Sequence, residues 1–352
     1  MLGRKSKKAG NYAYVVAKVK AKKGALLGDD AYAKMLMMSL TDISRFIGES
    51  GYQKEMAELA GRIDGIDLVE HATYKNMARV FSVILNASQG ELKEMLSAYL
   101  MKWDVWNLKV ILRGKTYGAS TDSIREDLVP AGRLDEAMLD KLLSLDADKD
   151  IIAEFGRMEH MEVPPEVISA YKAEGHLRNI EDHLDKAYYR KLLMSIDPSS
   201  TPTRLFQEFI RREIDTFNLE TILMLKAEGI RGESVMEYVI PGGKQIDKKL
   251  ATQLANAETI SAAANDLAQL DFYEDIKEAL DAGTGSLKDL VAGMRKYHMR
   301  QAKKFSHLYP LSVVPILDFM IHKNNEVDNI RIIARGIESG IDRETIKGLL
   351  VI

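Results

Sequence analysis

The chain has 352 residues with no cysteine, 8 prolines and 29% charged side chains; that length suits about two domains of ~150 residues, and the scarcity of proline favours long helices over an all-β or loop-rich chain. Without cysteine there is no disulfide framework, thiolate zinc site or cysteine nucleophile, which suits a reducing compartment. The formal charge of −3 hides an asymmetry: residues 1–23 carry eight basic side chains and no acid, leaving 41 basic against 52 acidic groups elsewhere, so a duplex nucleic-acid binder, which needs a basic face on the fold itself, is excluded.

The basic head comprises Arg4, Lys5, Lys7, Lys8, Lys18, Lys20, Lys22 and Lys23. Its first part, Arg4 to Lys8, reads as a solvated tail, with contact to acidic lipid or an acidic partner as the alternative. It lacks the apolar stretch and cleavage site of a signal peptide, and an intracellular, soluble chain is expected. Residues 42–59 and 70–85 show helical spacing. DVWNLKVILRGKTYG (104–118) places Leu108, Ile111 and Leu112 on one stripe, with Asp104 and Asn107 one turn apart on one face. Gly118 stands where a helix C-cap with positive φ belongs, behind Lys115 in the last turn. A short helix is expected at about 121–129, stopped by Pro130.

Helical stretches at 150–158 and 182–195 lead to DTFNLETILMLKAEG (215–229), which repeats the arrangement with Asp215, Asn218, Lys226 and Gly229. Another short helix, about 232–240, is expected to stop at Pro241. Helical patterns at 260–280 and 297–308 precede LSVVPILDFMI (311–321), which contains Pro315 and Asp318 and falls short of the ~20 apolar residues of a membrane span. EVDNIRIIARGIESG (326–340), with Glu326, Asn329 and Gly340, and a short helix at about 343–351 complete the chain. Sustained extended alternation is absent, so the fold class is all-α.

The segments 104–118, 215–229 and 326–340 align without a gap, and Asn107, Asn218 and Asn329 are separated by 111 residues each time. The same step relates Asp104, Asp215 and Glu326, then Gly118, Gly229 and Gly340, then Val129, Ile240 and Val351. A shared helix period could not hold this register through a glycine and a turn, so the chain reads as a triplication. The expected division is residues 1–19 as basic extension and start of the first helix, then repeats 20–130, 131–241 and 242–352. Three similar helical units suit a funnel-like, pseudo-threefold body. The repeated acid and asparagine either line a surface that receives a partner or hydrogen-bond a neighbouring helix as buried polar groups must.

No catalytic, cofactor or metal site emerges. His71, His183 and His298 recur near one helical position, but the Glu-x-x-His signature of bundle metal sites is missing. Gly114-Lys115-Thr116 resembles the end of a phosphate loop, yet position 109 is lysine where the motif needs glycine, and the segment reads as helix. Gly242-Gly243-Lys244 is a turn, and HExxH, GxSxG and GxGxxG with strand context are absent. The 17 methionines, Met35, Met37 and Met38 among them, read as core filler, with an adaptable partner surface as the alternative.

NYAYVVAKVKAKKGALL (11–27), WDVWNLKVILRGK (103–115), REIDTFNLETILMLKAEGI (212–230) and NEVDNIRIIARGI (325–337) together resemble the C subunit of archaeal-type (A-type, V/A-type) ATP synthases, homologous to the vacuolar ATPase d subunit. The resemblance covers nearly the whole chain. It implies a funnel of three helical domains on the cytoplasmic face of the membrane, a peripheral central-stalk subunit. Its implied partners are the rotor shaft subunits and the polar loops of the proteolipid ring, so membrane contact is indirect, and neither nucleic acid nor cofactor is involved. The implied role is non-catalytic coupling for proton- or sodium-driven ATP synthesis or hydrolysis-driven ion pumping. Asp104, Asn107, Gly118, Asp215, Asn218, Gly229, Glu326, Asn329 and Gly340 are the candidate signature or interface residues, expected near the central cavity with the short helices that follow the glycines. The competing readings are a free-standing helical scaffold that binds a partner helix and an enzyme built on a helical bundle, which requires a pocket of titratable groups with perturbed pKa values.

Overall fold

Low proline and runs of apolar residues at helical spacing produce helices throughout. In the computed structural model, which describes residues 9–161, 163–174, 177–258, 262, 267–281 and 287–352, every extended regular element among the described residues is an α-helix. Arg4, Lys5, Lys7 and Lys8 lie outside the described residues, as does part of the expected helix at 260–280.

In chain order the helices are α1 (Tyr12–Lys23), α2 (Asp29–Met35), α3 (Leu40–Gly48), α4 (Gln53–Leu59), α5 (Gly65–Ala87), α6 (Gly90–Thr116), α7 (Thr121–Glu126), α8 (Glu136–Leu143) and α9 (Asp148–Glu159). They continue with α10 (Pro165–Glu174), α11 (Arg178–Ser195), α12 (Thr201–Ala227), α13 (Glu233–Met236), α14 (Lys248–Asn256), α15 (Tyr273–Asp281), α16 (Leu287–Leu308), α17 (Val314–Glu338) and α18 (Arg343–Leu349). The chain divides into two compact units. One takes the chain up to Val15 together with Thr41–Ser195, and the other takes Val16–Leu40 with Ile196–Ile352. These units do not follow the repeat boundaries at 130 and 241: the first holds one long signature helix, α6, and the second holds two, α12 and α17.

In the first unit α6 is the spine, flanked by α5 and α11. Phe81, Leu96, Tyr99, Leu100, Ile111 and Phe155 are fully or almost fully buried there. Polar pins fix the helices along their length: the Tyr188 hydroxyl donates to the Tyr99 carbonyl at 2.9 Å, Lys109 reaches Asp185 at 2.6 Å, and the Arg113 fork grips Glu181 at 2.5 and 2.6 Å. Asn11 closes the α5–α6 turn, donating to the Ala87 carbonyl and accepting from the Gln89 amide, both at 2.9 Å.

In the second unit α16 packs against both long helices, α12 and α17. The core joins Leu219, Ile222, Phe272, Met294 and Tyr297. Helix α12 starts on a reciprocal cap, with Ser200 accepting from the Thr203 amide and Thr203 accepting from the Ser200 amide, and with proline in its first turn, where no amide is missed.

The three long helices end alike. Gly118, Gly229 and Gly340 have φ of +72°, +82° and +68°, and the next residue's amide reaches back to the carbonyl five positions earlier: Ala119 to Gly114, Ile230 to Leu225, Ile341 to Gly336, at 2.8–2.9 Å. This is the wrapped helix terminus that a left-handed residue permits. Each following short helix buries one anchor, Ile124, Val235 or Ile346. Where the anchor is isoleucine, the long helix carries Gly114 or Gly336, whose added Cβ would stand 2.4 or 2.6 Å from the isoleucine side chain. Where the anchor is the shorter Val235, the long helix carries Leu225.

The short helices end earlier than their sequences suggest, at Glu126, Met236 and Leu349. Proline is not what stops them. The chain leaves helical geometry because the backbone of Val129, Ile240 and Val351 is claimed by buried asparagine side chains of the long helices. Gly340→Ala, with open space around its Cβ, is expected to cost about 1 kcal/mol through its left-handed φ alone. Gly336→Ala is expected to cost more, about 2–3 kcal/mol, through overlap with Ile346; urea unfolding of the two variants ranks them.

Candidate functional site

The repeated asparagines form three copies of one clasp. The Asn107 Nδ2 donates to the Val129 carbonyl and its Oδ1 accepts from the Val129 amide, both at 2.8 Å. Asn218 grips Ile240 in the same way at 2.8 and 2.7 Å, and Asn329 grips Val351 at 3.0 and 3.1 Å. All three asparagines have zero exposure. A carboxamide presents one donor and one acceptor side by side, so it completes a backbone peptide as a neighbouring strand would. The residue so held lies 22 positions downstream and is buried.

One turn earlier, the acids hold the turn that comes after the clasp. Asp104 accepts from the amides of Arg133 (2.8 Å) and Leu134 (3.0 Å). Asp215 accepts from Lys244, Gln245 and Ile246 at 3.1, 2.9 and 2.9 Å, a nest of three successive N–H groups. Both turns need glycine for the approach: a Cβ on Gly132 would lie 2.1 Å from Asp104 Oδ1, and one on Gly243 would lie 2.3 Å from Asp215 Oδ1. Beyond each turn an aspartate, Asp135 or Asp247, caps the next helix.

The third clasp is completed from the opposite end of the sequence. Glu326 accepts from the Leu27 amide at 2.5 Å and pairs with the buried Lys323 at 2.7 Å. Leu27 precedes Gly28, the cap of α2, just as Leu134 and Ile246 precede the caps of α8 and α14. The N-terminal segment thus occupies the place that residues after the clasp occupy in the other two copies. Lys23 on Asp318 at 2.5 Å fastens the same segment to α17.

Burial dominates the electrostatics. It pushes the Asp104 carboxyl up to about 8, with the Glu159 carboxylate adding to the rise and the amides of Arg133 and Leu134 opposing it. Burial also raises Glu159 and Asp215, the latter against its three amide donors. At Asp318 burial pulls upward, but His322 and Lys23 outweigh it and hold the carboxyl below its usual range.

Each acid–asparagine pair serves its own clasp, and Gly118, Gly229 and Gly340 lie exposed at the helix ends. The asparagines are buried, whereas α7 and α18, apart from their anchors, are largely exposed. His298 packs its ring edge-on to Phe209 at 5.3 Å, and among the described residues no group of three or more His, Asp or Glu side chains is placed to hold a metal ion. Gly114-Lys115-Thr116 lies within α6. Among the described residues no helix is long and apolar enough to cross a membrane. Gly243 reads from sequence as part of a turn, but its relation to Gly132, 111 residues earlier, escapes the sequence reading; Leu27 carries no such signal.

The model of the ATP synthase (C/AC39) subunit family matches residues 15–349. This chain belongs to that family. It is 37% identical to the A-type ATP synthase C subunit of Methanococcoides burtonii over 350 residues, covering 99% of this chain and 96% of that protein. The corresponding C subunit of Methanosarcina acetivorans is 35% identical over 351 residues (99% and 95%), and that of Halobacterium salinarum is 35% identical over 347 residues (97% of each). The family match runs across the first two clasps and includes Glu326 and Asn329 of the third, ending two residues before Val351.

Asn218→Leu keeps the volume but orphans the amide and carbonyl of Ile240, and is expected to destabilise the chain by about 3 kcal/mol in urea unfolding, with Asn218→Asp intermediate. The raised carboxyl of Asp104 gives a pH dependence of definite sign. Above the unfolded value of 3.8 the folded chain keeps a proton that the unfolded chain has released, so this stabilisation is complete at low pH and is lost as pH rises through about 8. Unfolding free energy measured from pH 5 to pH 9 should fall, and fall less steeply in Asp104→Asn.

Proposed function

We propose that this chain is the non-catalytic central-stalk subunit of an A-type ATP synthase, coupling the rotor shaft to the proteolipid ring during proton- or sodium-driven ATP synthesis or hydrolysis-driven ion pumping. The observation that carries the reading is the end-to-end correspondence with proteins named as the C subunit of A-type ATP synthases, which leaves no part of this chain for a separate activity. It also weighs against a free-standing scaffold. Three of the raised carboxyls, Asp104, Glu159 and Asp215, are buried against backbone amides and basic side chains rather than exposed in a cleft, which favours a structural role for them.

In this reading the chain lies peripherally on the cytoplasmic face of the membrane, with three equivalent units, residues 20–130, 131–241 and 242–352, the last completed by the N-terminal segment. Torque transmission needs stiffness. Long helices whose outgoing turns are tied back by buried bidentate bonds yield little, because close-packed interiors have low compressibility. The signature residues act by holding the short helices in place, and the exposed faces of those helices meet the shaft or the ring.

The absence of native cysteine allows a direct test. Ser123→Cys, Ser234→Cys and Arg343→Cys lie on exposed faces of the short helices, and each is expected to form an adduct with a shaft or ring subunit in the assembled complex. Removal of the chain should abolish ATP-driven ion pumping while the catalytic part retains ATP hydrolysis. Full pumping without the chain, or no adduct from any of the three positions, contradicts the reading.

A further inference from the structure

Helix α16 differs in charge from the rest of the molecule. Residues 287–309 contain Lys288, Arg295, Lys296, Arg300, Lys303 and Lys304 against a single acid, Asp289, in a chain whose net charge is −3. Lys296, Arg300, Lys303, Lys304 and His307 are all exposed. Their spacing, i, i+4, i+7, i+8 and i+11, places them on one face of the helix in a stripe about 16 Å long. Arg300 is paired with Asp275 at 2.5 Å, but no ion pair among the described residues engages Lys296, Lys303 or Lys304.

The stripe runs directly into an apolar turn. Leu308 is 60% exposed, Tyr309 39% and Leu311 67%, with Pro310 between them. The turn is held firmly. Tyr309 stacks on Phe305 with ring centroids 6.1 Å apart, and its amide donates to the Phe305 carbonyl at 2.9 Å. Ser312 donates to the Tyr309 carbonyl at 2.8 Å and accepts from the Val314 amide at 3.2 Å, which launches α17. Two leucines are thus kept in water by a rigid turn, at the end of a row of lysines.

We propose that this face of α16 and the 308–311 turn form a docking surface for an anionic phospholipid headgroup layer, with Leu308 and Leu311 entering the interfacial region and Tyr309 at headgroup level. Charge complementarity selects a negative partner. The choice of lipid over an acidic protein rests on two features. The unpaired cations are lysines, compact point charges that suit a diffuse phosphate layer and lack the planar fork that reads carboxylates. The apolar residues project from a turn, and leucine beside tyrosine next to a basic helical face is the composition of interfacial insertion.

The test is vesicle co-flotation of the full-length chain. Vesicles of phosphatidylcholine with about one quarter phosphatidylglycerol should carry the chain, pure phosphatidylcholine vesicles should not, and binding should weaken as salt rises. Each lysine removed should lower partitioning about fivefold, so the triple variant Lys296→Gln, Lys303→Gln, Lys304→Gln should lose on the order of a hundredfold. The double variant Leu308→Ser, Leu311→Ser should lose binding while keeping the lysine stripe. All five side chains are exposed, and circular dichroism and melting temperature should match the unmodified chain. Equal binding to both vesicle types, or unchanged binding by both variants, overturns the proposal. So does failure to float on either vesicle while the lysine variant loses incorporation into the assembled synthase, which assigns the face to an acidic protein partner.

Discussion

Each of the three long helices is tied to the chain downstream of it by one interaction, the two-point hydrogen bond between a buried asparagine side chain and the backbone of a residue 22 positions on. Its demands explain the residue type. Aspartate lacks the donor, glutamine is a methylene too long for the same approach, and an apolar side chain would leave a buried amide and carbonyl without partners. The neighbouring position tolerates either acid because its task is less exacting. It needs carboxyl oxygens that accept from backbone N–H groups, and Asp104 and Asp215 meet two or three of them, whereas the longer Glu326 reaches one amide and pairs with Lys323. The left-handed glycine, the anchor in the short helix, the clasp and the acid-held turn make one connected unit. Removing the clasp would break the link between the anchor of the short helix and the acid-held turn.

The third copy shows that the fold, and not the order of the sequence, defines this unit. Leu27 stands to Glu326 as Leu134 stands to Asp104 and Ile246 to Asp215, each one residue before a helix cap. The segment Val16–Leu40 accordingly belongs with the C-terminal half. The Lys23–Asp318 bridge and the Leu27–Glu326 hydrogen bond stand in for covalent continuity at that point.

Much of this architecture is legible in the sequence, and the limits are physical. Helical class follows from scarce proline and apolar spacing. The positions that matter to the clasp, the asparagine, the acid, the glycine and the residue 22 further on, are all visible as a repeated step of 111. The meaning of the step is not visible, because a side-chain bond to backbone leaves no trace in the identity of the residue whose backbone is used. Val129, Ile240 and Val351 read as ordinary apolar positions at the end of a helix, and that is why the short helices come out too long from sequence. Proline at 130 and 241 resembles the stop signal, but the helices have already ended. The role of Leu27 is illegible for a different reason, since nothing local relates an N-terminal leucine to a glutamate 299 residues away.

Stiffness is the property through which this architecture would serve the coupling role proposed for it, and it rests on the clasps being closed in the native state rather than opening and closing on the timescale of a turning rotor. Amide hydrogen exchange on the full-length chain tests that claim most directly. The amides of Val129, Ile240 and Val351 lie outside any helix, so exchange as slow as that of the buried turns of α6, α12 and α17 is the result expected if the asparagines hold them. Exchange at these three amides at the rate of the exposed short helices would contradict it.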